Sequence, residues 1–394
     1  PGGTTPRRGS FWTGYHGGRI PGVSAGLSFP GKLGLQQRVL PVYRRAFLEK
    51  LAEACVGGMS VFAGMPLPVE GIAPVEQLER AQLVQAHNRY FKDPSSPLFV
   101  CWQGGFLGWL ADWQPDALVV EANPRYLATR QAVRWMHARK RPVIGWGLGA
   151  PPLQGRLAWL RRWERLSLLR SLDAVIAYSQ RGAEQYRQLG LPAERVFVAS
   201  NAADPAPTLP PPHRPDVYID RPSVLFVGRL QARKRLDLLL HACARLPVPL
   251  QPRLVIVGDG PAREQFEALA HQIYLRTEFV GAKHGADLEP YFQAADLFVL
   301  PGTGGLAVQQ AMARALPVIV AQGDGTQDDL VRPANGWQVP PDDLEALTAT
   351  LLSALSSPGR LRQMGAESYR IVAEEVNVEA MAGVFVQVLL NVTR

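Results

Sequence analysis

Seven prolines, at positions 205, 207, 210, 211, 212, 215 and 222, crowd the stretch between Asn201 and Pro222. Proline fixes φ and has no backbone N–H to donate, so this stretch can form neither a helix interior nor a central strand. It therefore divides the chain near its middle. On each side, short apolar runs alternate with helical stretches. The runs are residues 39–43, 59–63, 117–121, 141–146, 174–178 and 196–199 before the prolines, and 224–227, 254–257, 278–280, 297–300 and 318–320 after them. Strands of this kind, separated by helices, build parallel sheets covered on both faces.

Two α/β domains are expected, and 394 residues suffice for two separate cores. The divisions predicted are a mobile glycine- and proline-rich arm over 1–36, a first domain over 37–200, a linker over 201–222, a second domain over 223–375 and a last helix over 376–394. Apolar content of 47% and charged content of 19% are those of an ordinary globular protein. Cys55, Cys101 and Cys243 are odd in number and lack metal-ligand spacing, which predicts a reduced, cytoplasmic compartment. No signal sequence and no uninterrupted membrane-spanning apolar run is read, so the protein is expected to be soluble or to lie on a membrane surface.

Charge is uneven. Residues 1–200 carry 25 Lys and Arg against 13 Asp and Glu, leaving 17 against 21 for the rest. A basic first half suits an anionic acceptor or an anionic membrane surface. Nucleic acid is not expected as a partner, because no helix-turn-helix, zinc-finger or RNA-recognition signature is present.

The motifs with chemical content lie in the second half. Residues 298–317 run from a buried-strand pattern through Gly302-Thr303-Gly304-Gly305 into an apolar helix start at Leu306-Ala307. Backbone N–H groups left unpaired there face the positive end of the helix dipole and can hold a phosphate. Upstream, Gly228-Arg229-Leu230-Gln231-Ala232-Arg233-Lys234 places three cations on a turn that follows a strand, where ligands of open sheets sit. Between these lie the tight turn Val257-Gly258-Asp259-Gly260-Pro261 and the loop from Phe279-Val280-Gly281 to Lys283. Gly302 to Ala307 also fits the Gly-x-Gly-x-x-Ala dinucleotide fingerprint, with Asp324 about twenty residues on. That fingerprint opens a domain, however, whereas several strand–helix units precede this one.

In this order the motifs resemble the nucleotide-sugar half of retaining glycosyltransferases of the group 1 family. The resemblance spans roughly residues 37–394 and is most specific over 224–340. It implies the GT-B architecture: two facing Rossmann-like domains with a cleft between them and a C-terminal helix that crosses back to the first. It implies a nucleotide diphosphate sugar as substrate, with no cofactor. Arg229 and Lys234 fall in register with the Arg and Lys of the family's Gly-Arg-Leu-x-x-x-Lys-Gly pattern, which bind the diphosphate. Arg235 stands where the family has glycine. Gly228, Gly258, Gly281, Lys283, Gly302, Thr303, Gly304, Gly305, Leu306, Ala307 and Gln310 are the donor-binding residues so implied. Both glutamates of the family's Glu-Gly-Phe-Gly-x-x-x-x-Glu-Ala-Met pattern are replaced, by Gly302 and Gln310. A glutamine amide can still hydrogen-bond a ribose diol, whereas glycine has no side chain with which to grip a sugar. No metal is expected, because the chain has no Asp-x-Asp and Asp328-Asp329 reads as a helix N-cap.

Acceptor-side signals are thinner. Tyr43, Arg44 and Trp146 follow strand ends, and Trp102–Phe106 and Glu121–Arg125 are further positions of that kind. Leu148 stands where related sequences carry histidine. His87 and His137 read as ordinary polar residues of helical runs. Residues 156–170 mix arginine with tryptophan and leucine, a pattern suited to a membrane interface or to a domain helix. The function expected is transfer of a sugar, with retention, to a glycan or lipid-linked acceptor in cell-surface polysaccharide or glycolipid synthesis. A non-catalytic nucleotide-sugar or polysaccharide-binding partner subunit is the alternative.

Overall fold

A computed structural model describes residues 26–394 apart from 71, 93–95, 97–98, 154, 156–157, 305 and 324. Eight strands form the first sheet: β1 (Leu33–Val39), β2 (Met59–Gly64), β3 (Gln82–Phe91), β4 (Val100–Gly104), β5 (Ala117–Glu121), β6 (Val143–Gly147), β7 (Ala174–Ala177) and β8 (Val196–Val198). Their order is β4-β3-β2-β1-β5-β6-β7-β8, parallel except between β3 and β4. Leu33, Leu35, Val61 and Val119 are inaccessible to solvent, as a sheet covered on both faces requires.

The first strand is not at 39–43, and residues 29–36 are not an arm. Phe29 is buried and β1 begins at Leu33. Two buried glutamines at its centre disguise the strand. Gln36 bonds Gln103 and accepts from the Glu121 N–H, while Gln103 donates to the Gln37 carbonyl. The Gln36 amide and the Gln37 carbonyl are thus paired inside the sheet and buried at little cost, whereas the Gln37 side-chain Nε2 is buried without a hydrogen-bond partner. Residues 1–25 of the expected arm lie outside the described residues. The β3–β4 hairpin is a second departure, and it puts His87 on a strand rather than a helix.

The second sheet contains β9 (Ser223–Val227), β10 (Arg253–Val257), β11 (Thr277–Phe279), β12 (Leu297–Leu300), β13 (Val318–Ala321) and β14 (Gly336–Val339). All pairs are parallel, in the order β11-β10-β9-β12-β13-β14. Numbered from its own first strand, this is the Rossmann order 3-2-1-4-5-6, whose ligand crevice opens where the order reverses. Here that point lies between β9 and β12. In the first sheet it lies between β1 and β5.

The stretch Pro358–Val392 is apolar and long enough, by composition, to cross a membrane. In the fold it is two helices, Pro358–Glu374 and Val378–Val392, separated at Glu375–Asn377. The second belongs to the core of the first domain, where Phe385 packs on Phe47 and Trp146 at ring separations of 5.0 and 5.2 Å. Asn377 caps it by accepting from Ala380 N at 2.7 Å.

Candidate functional site

The loops after β9 and β12 meet at the switch point of the second sheet. Gly228 follows β9 and donates to Val257 O at 3.0 Å; Leu230 donates to Asp259 O at 2.9 Å. A Cβ on Gly258 would collide with the Gly228 carbonyl oxygen, and Gly258 itself sits at φ +149. Glycine there lets the two turns lie against each other. Gly258 also donates to Gly281 O at 2.9 Å, which links the loop carrying Lys283 to the other two. Asp259 pairs with Arg263 at 3.3 Å and closes its own turn through the Gly260 N–H.

Lys234 is the buried cation of this group, at 9% exposure. Its Nζ donates to Thr303 O at 2.5 Å, and Arg233 Nη1 donates to Thr303 Oγ1 at 2.9 Å. Burial, with the Arg233 charge beside it, pushes the Lys234 ammonium down to about 8 from 10.5. Arg229 stands exposed at the lip of the same loop. Arg235 takes the left-handed conformation, φ 53, which explains why a glycine suits this position. Its guanidinium pairs with Asp237 at 3.1 Å and with Asp342.

Gly302 packs against the Arg233–Lys234 backbone so closely that a Cβ would strike the Arg233 carbonyl oxygen. The missing glutamate is therefore also a missing space. Gln327, 2% exposed, donates to Gly304 O at 3.0 Å and holds the glycine loop from its far side. Gly305 lies outside the described residues, and Leu306 and Ala307 open the helix Leu306–Met312. On that helix Gln310 is half-buried and its amide meets the Asp204 carboxyl. The neighbouring Gln309 is wholly buried. It accepts from Ala203 N at 2.9 Å and donates to Val376 O at 2.8 Å, tying the linker to the start of the last helix.

Arg233, Gln309 and Gln327 are the side chains of this region that motif reading passed over. Arg233 lay inside a quoted motif. The two glutamines carry no signal beyond being polar residues in apolar surroundings. Asp329 does cap a helix, but one in the other domain: its Oδ2 accepts the Gln180 N–H at 2.9 Å, at the start of Gln180–Gln188. Arg181 of that helix donates to Gly323 O at 3.1 Å and lies 3.7 Å from Asp328. The two domains thus touch at the carboxyl ends of their sheets.

In the first domain, Arg44 is 4% exposed and donates to Asn201 Oδ1 at 2.6 Å. Its guanidinium lies 4.3 Å from the Trp146 ring centroid and 5.1 Å from that of Tyr178. Trp146 is 1% exposed, between Phe47 and Phe385, so its ring is core. Tyr43 is 39% exposed beside Arg44. His137 pairs with Asp173 at 2.9 Å on the outer surface. A cavity of about 700 Å³ opens beyond β5, β6 and β7, lined among others by Glu121, Arg125, Trp146, Leu148, Arg165 and Tyr178. Glu121 accepts the Arg38 N–H across the switch point, and burial pushes its carboxyl up to about 7.

Comparison with known proteins agrees with this geometry. The family model described as "Glycosyl transferases group 1" matches residues 214–371, and the "Glycosyl transferase 4-like domain" matches residues 30–202. The chain is 24% identical over 303 residues to the lipopolysaccharide core biosynthesis glycosyltransferase LpsE of Rhizobium meliloti, a match covering 72% of this chain and 88% of that one. It is 32% identical over 203 residues to the GDP-mannose-dependent alpha-mannosyltransferase of Mycobacterium tuberculosis, covering 49% and 50%. Among solved structures, Anabaena HepE in complex with UDP superposes with a TM-score of 0.68 at 18% identity, covering 91% of this chain and 99% of that one. Sucrose-phosphate synthase from Thermosynechococcus elongatus gives 0.66 at 21%, covering 89% and 96%. The two family models leave only the N-terminal stretch, a short linker and the last helix unmatched. With two facing Rossmann-like domains closed by a returning helix, the chain has the GT-B fold and belongs to the group 1 glycosyltransferases.

Proposed function

We propose that this chain transfers a sugar, with retention of anomeric configuration, from a nucleoside diphosphate sugar to a glycan or lipid-linked acceptor in cell-surface polysaccharide or glycolipid synthesis. The observation that carries this reading is the meeting of the Arg229–Lys234 turn with the glycine loop at the β9/β12 switch point. The diphosphate lies beyond these two strands. As the bond from sugar to phosphate breaks, negative charge builds on the departing phosphate. Arg229 and Lys234 offset that charge from fixed positions, without a metal. Backbone N–H groups at Gly304, Leu306 and Ala307 add partial positive charge. Gln310, beside Asp204, holds the ribose diol, and the loop through Lys283 frames the base. The acceptor hydroxyl attacks on the face from which the phosphate departs and gives it a proton, so no carboxylate pair of the glycosidase kind is required. The acceptor enters from the first-domain cavity, near Tyr43, Arg44 and Trp146.

Three observations support the details. HepE was solved with UDP, which suits a nucleoside diphosphate donor. LpsE is named for lipopolysaccharide core synthesis, which suits a cell-surface product. The helix Ala158–Arg170 exposes Trp159 and Trp163, one turn apart and 69% and 63% accessible, beside Arg161 and Arg162. Such a face suits attachment to an anionic membrane from the cytoplasmic side.

Gly302 favours a second reading, because no side chain reaches the sugar from that position: a partner subunit that binds nucleotide sugar without turnover. Incubation with a panel of nucleotide sugars separates the two. Donor consumption with an α-linked product from an α-linked donor supports the enzyme. Calorimetric binding without consumption supports the partner subunit.

A further inference from the structure

A second cavity, of about 760 Å³, opens on the second domain where β9, β10 and β11 begin, the side away from the β9/β12 crevice. The end of the proline-rich linker forms part of its wall. Arg214 of that linker donates to Phe292 O and Ala295 O at 2.8 Å, and Arg362, on the helix Pro358–Glu374, donates to Pro215 O at 2.8 Å and pairs with Asp296 at 2.7 Å. These bonds fix the shape of the cavity. The Tyr218 hydroxyl donates to Leu355 O at 3.1 Å and pins the chain inward there, yet the residues on either side stand in solvent, Val217 at 64% and Ile219 at 95% exposure. Leu275, just before β11, also lines the cavity and is 80% exposed.

Exposed aliphatic side chains scattered singly are ordinary, but three around one cavity mark a contact surface. The charges among them are of both signs. Arg221 pairs with Asp220 at 3.3 Å and Arg253 with Glu278, while Arg276 donates to Gln251 Oε1 at 2.8 Å. A small anion or an acidic segment would meet Asp220 and Glu278 as well as the arginines, so neither matches this lining. Strand addition is no better served: β11 is an end strand of its sheet, but it has three residues and carries Glu278, with Arg276 just before it. A patch that holds a protruding aliphatic residue, a socket and both charges is complementary to itself. Self-complementarity is what a two-fold contact between identical chains requires.

We propose that this face joins two copies of the chain about a two-fold axis, with Ile219 of each copy seated in the other's cavity beside Val217 and Leu275, and with Arg221, Arg253 and Arg276 of each set against Asp220 and Glu278 of the other. The exposed ion pairs contribute little by themselves and serve to fix the register of the contact. Because the face lies at the amino ends of the strands, the carboxyl ends, where the two domains of one chain meet, stay clear of the partner copy.

Sedimentation velocity of the full chain over a dilution series tests this. The mass should rise from one chain to two with concentration and stop there. Ile219→Asp and Leu275→Asp should each raise the dimer dissociation constant by about a hundredfold or more, because every dimer holds the residue twice and the new carboxylate would be buried in the contact. Val56→Asp, which places the same charge at a 73% exposed position of the first domain, should leave it unchanged. The melting temperature of the dilute variants reports on the fold of the single chain, which side chains so exposed contribute little to. In the wild type, hydrogen exchange at residues 216–221 and 275–278 should slow as concentration rises, a reading that needs no variant. A single-chain mass at every concentration, a dimer that survives both substitutions, or exchange at these residues that ignores concentration would overturn the proposal. Assemblies that grow beyond two copies would overturn the two-fold closure.

Discussion

Lys234 is the residue whose chemistry is most sharply set by its surroundings. Its ammonium titrates near 8 because it is buried beside Arg233, bonded to a carbonyl rather than to an acid. A bound diphosphate supplies the missing negative charge and favours the protonated form. Nucleoside diphosphate affinity should therefore hold below pH 8 and weaken as pH rises through it, approaching tenfold per unit for one linked proton. Calorimetry of UDP binding between pH 7 and 9.5 checks this, with Lys234→Arg expected to flatten the profile; a flat wild-type profile would refute it. Gly302 makes the opposite kind of prediction. Restoring the family glutamate forces a side chain into the Arg233–Lys234 backbone, so Gly302→Glu should cost about 1–3 kcal/mol of stability, the range for overpacking. An unchanged denaturation midpoint would show that the loop yields. The sequence made these two positions visible because each lies in a motif. Gln309 and Gln310 were not separable in the same way: adjacent and chemically identical, both meet the linker, at Ala203 and Asp204, and they differ in that Gln309 is wholly buried and also bonds Val376 O whereas Gln310 is half-buried.

At the scale of elements, most buried strands were legible because they are short, apolar and bounded by glycine or proline. β1, β3, β4 and β14 were not, and the first two are polar for different reasons. β1 buries Gln36, whose amide is hydrogen-bonded, and Gln37, and β3 is an outer strand whose Gln82, Gln85, His87 and Arg89 side chains are exposed. Polarity marked the surface in one case and a buried interior in the other. The helix Ala158–Arg170 kept both of its readings: Leu168 and Leu169 are buried as a domain helix requires, while Trp159 and Trp163 are not. Because the tryptophans contribute little to the core, replacing both with alanine should leave the melting temperature nearly unchanged. Co-sedimentation with anionic vesicles should fall, and in the wild type it should decline with added salt. Binding to neutral vesicles equal to that on anionic ones, or a double variant that still sediments fully, would make the helix purely structural.

Across the whole molecule, the two domains meet where their strands end, through Asp329 on the Gln180 N–H and Arg181 on Gly323. Burial, with Asp328 adding to it, pushes the Asp329 carboxyl up to about 6 from 3.8. A carboxyl raised in this way destabilises the folded state when ionised. That cost is present above about pH 6 and is relieved as pH falls through 6 toward 3.8. Asparagine can still accept from Gln180 without the charge. Asp329→Asn should thus be more stable than wild type at pH 7.5, with the difference shrinking by pH 5, as read by urea denaturation. A difference independent of pH would place the carboxyl in ordinary solvent.

The donor site joins these scales, since it needs the cations of one loop, the register of β9 beside β12 and the closure of two domains. Turnover of a nucleotide sugar by Arg229→Ala and Lys234→Ala, against wild type at matched folding, bears on all three together. Loss of one to several powers of ten in the rate of donor consumption is expected for each variant, the range seen when a fixed electrostatic stabiliser is removed. Consumption at the wild-type rate in both variants would contradict the assignment of the diphosphate to the β9/β12 crevice.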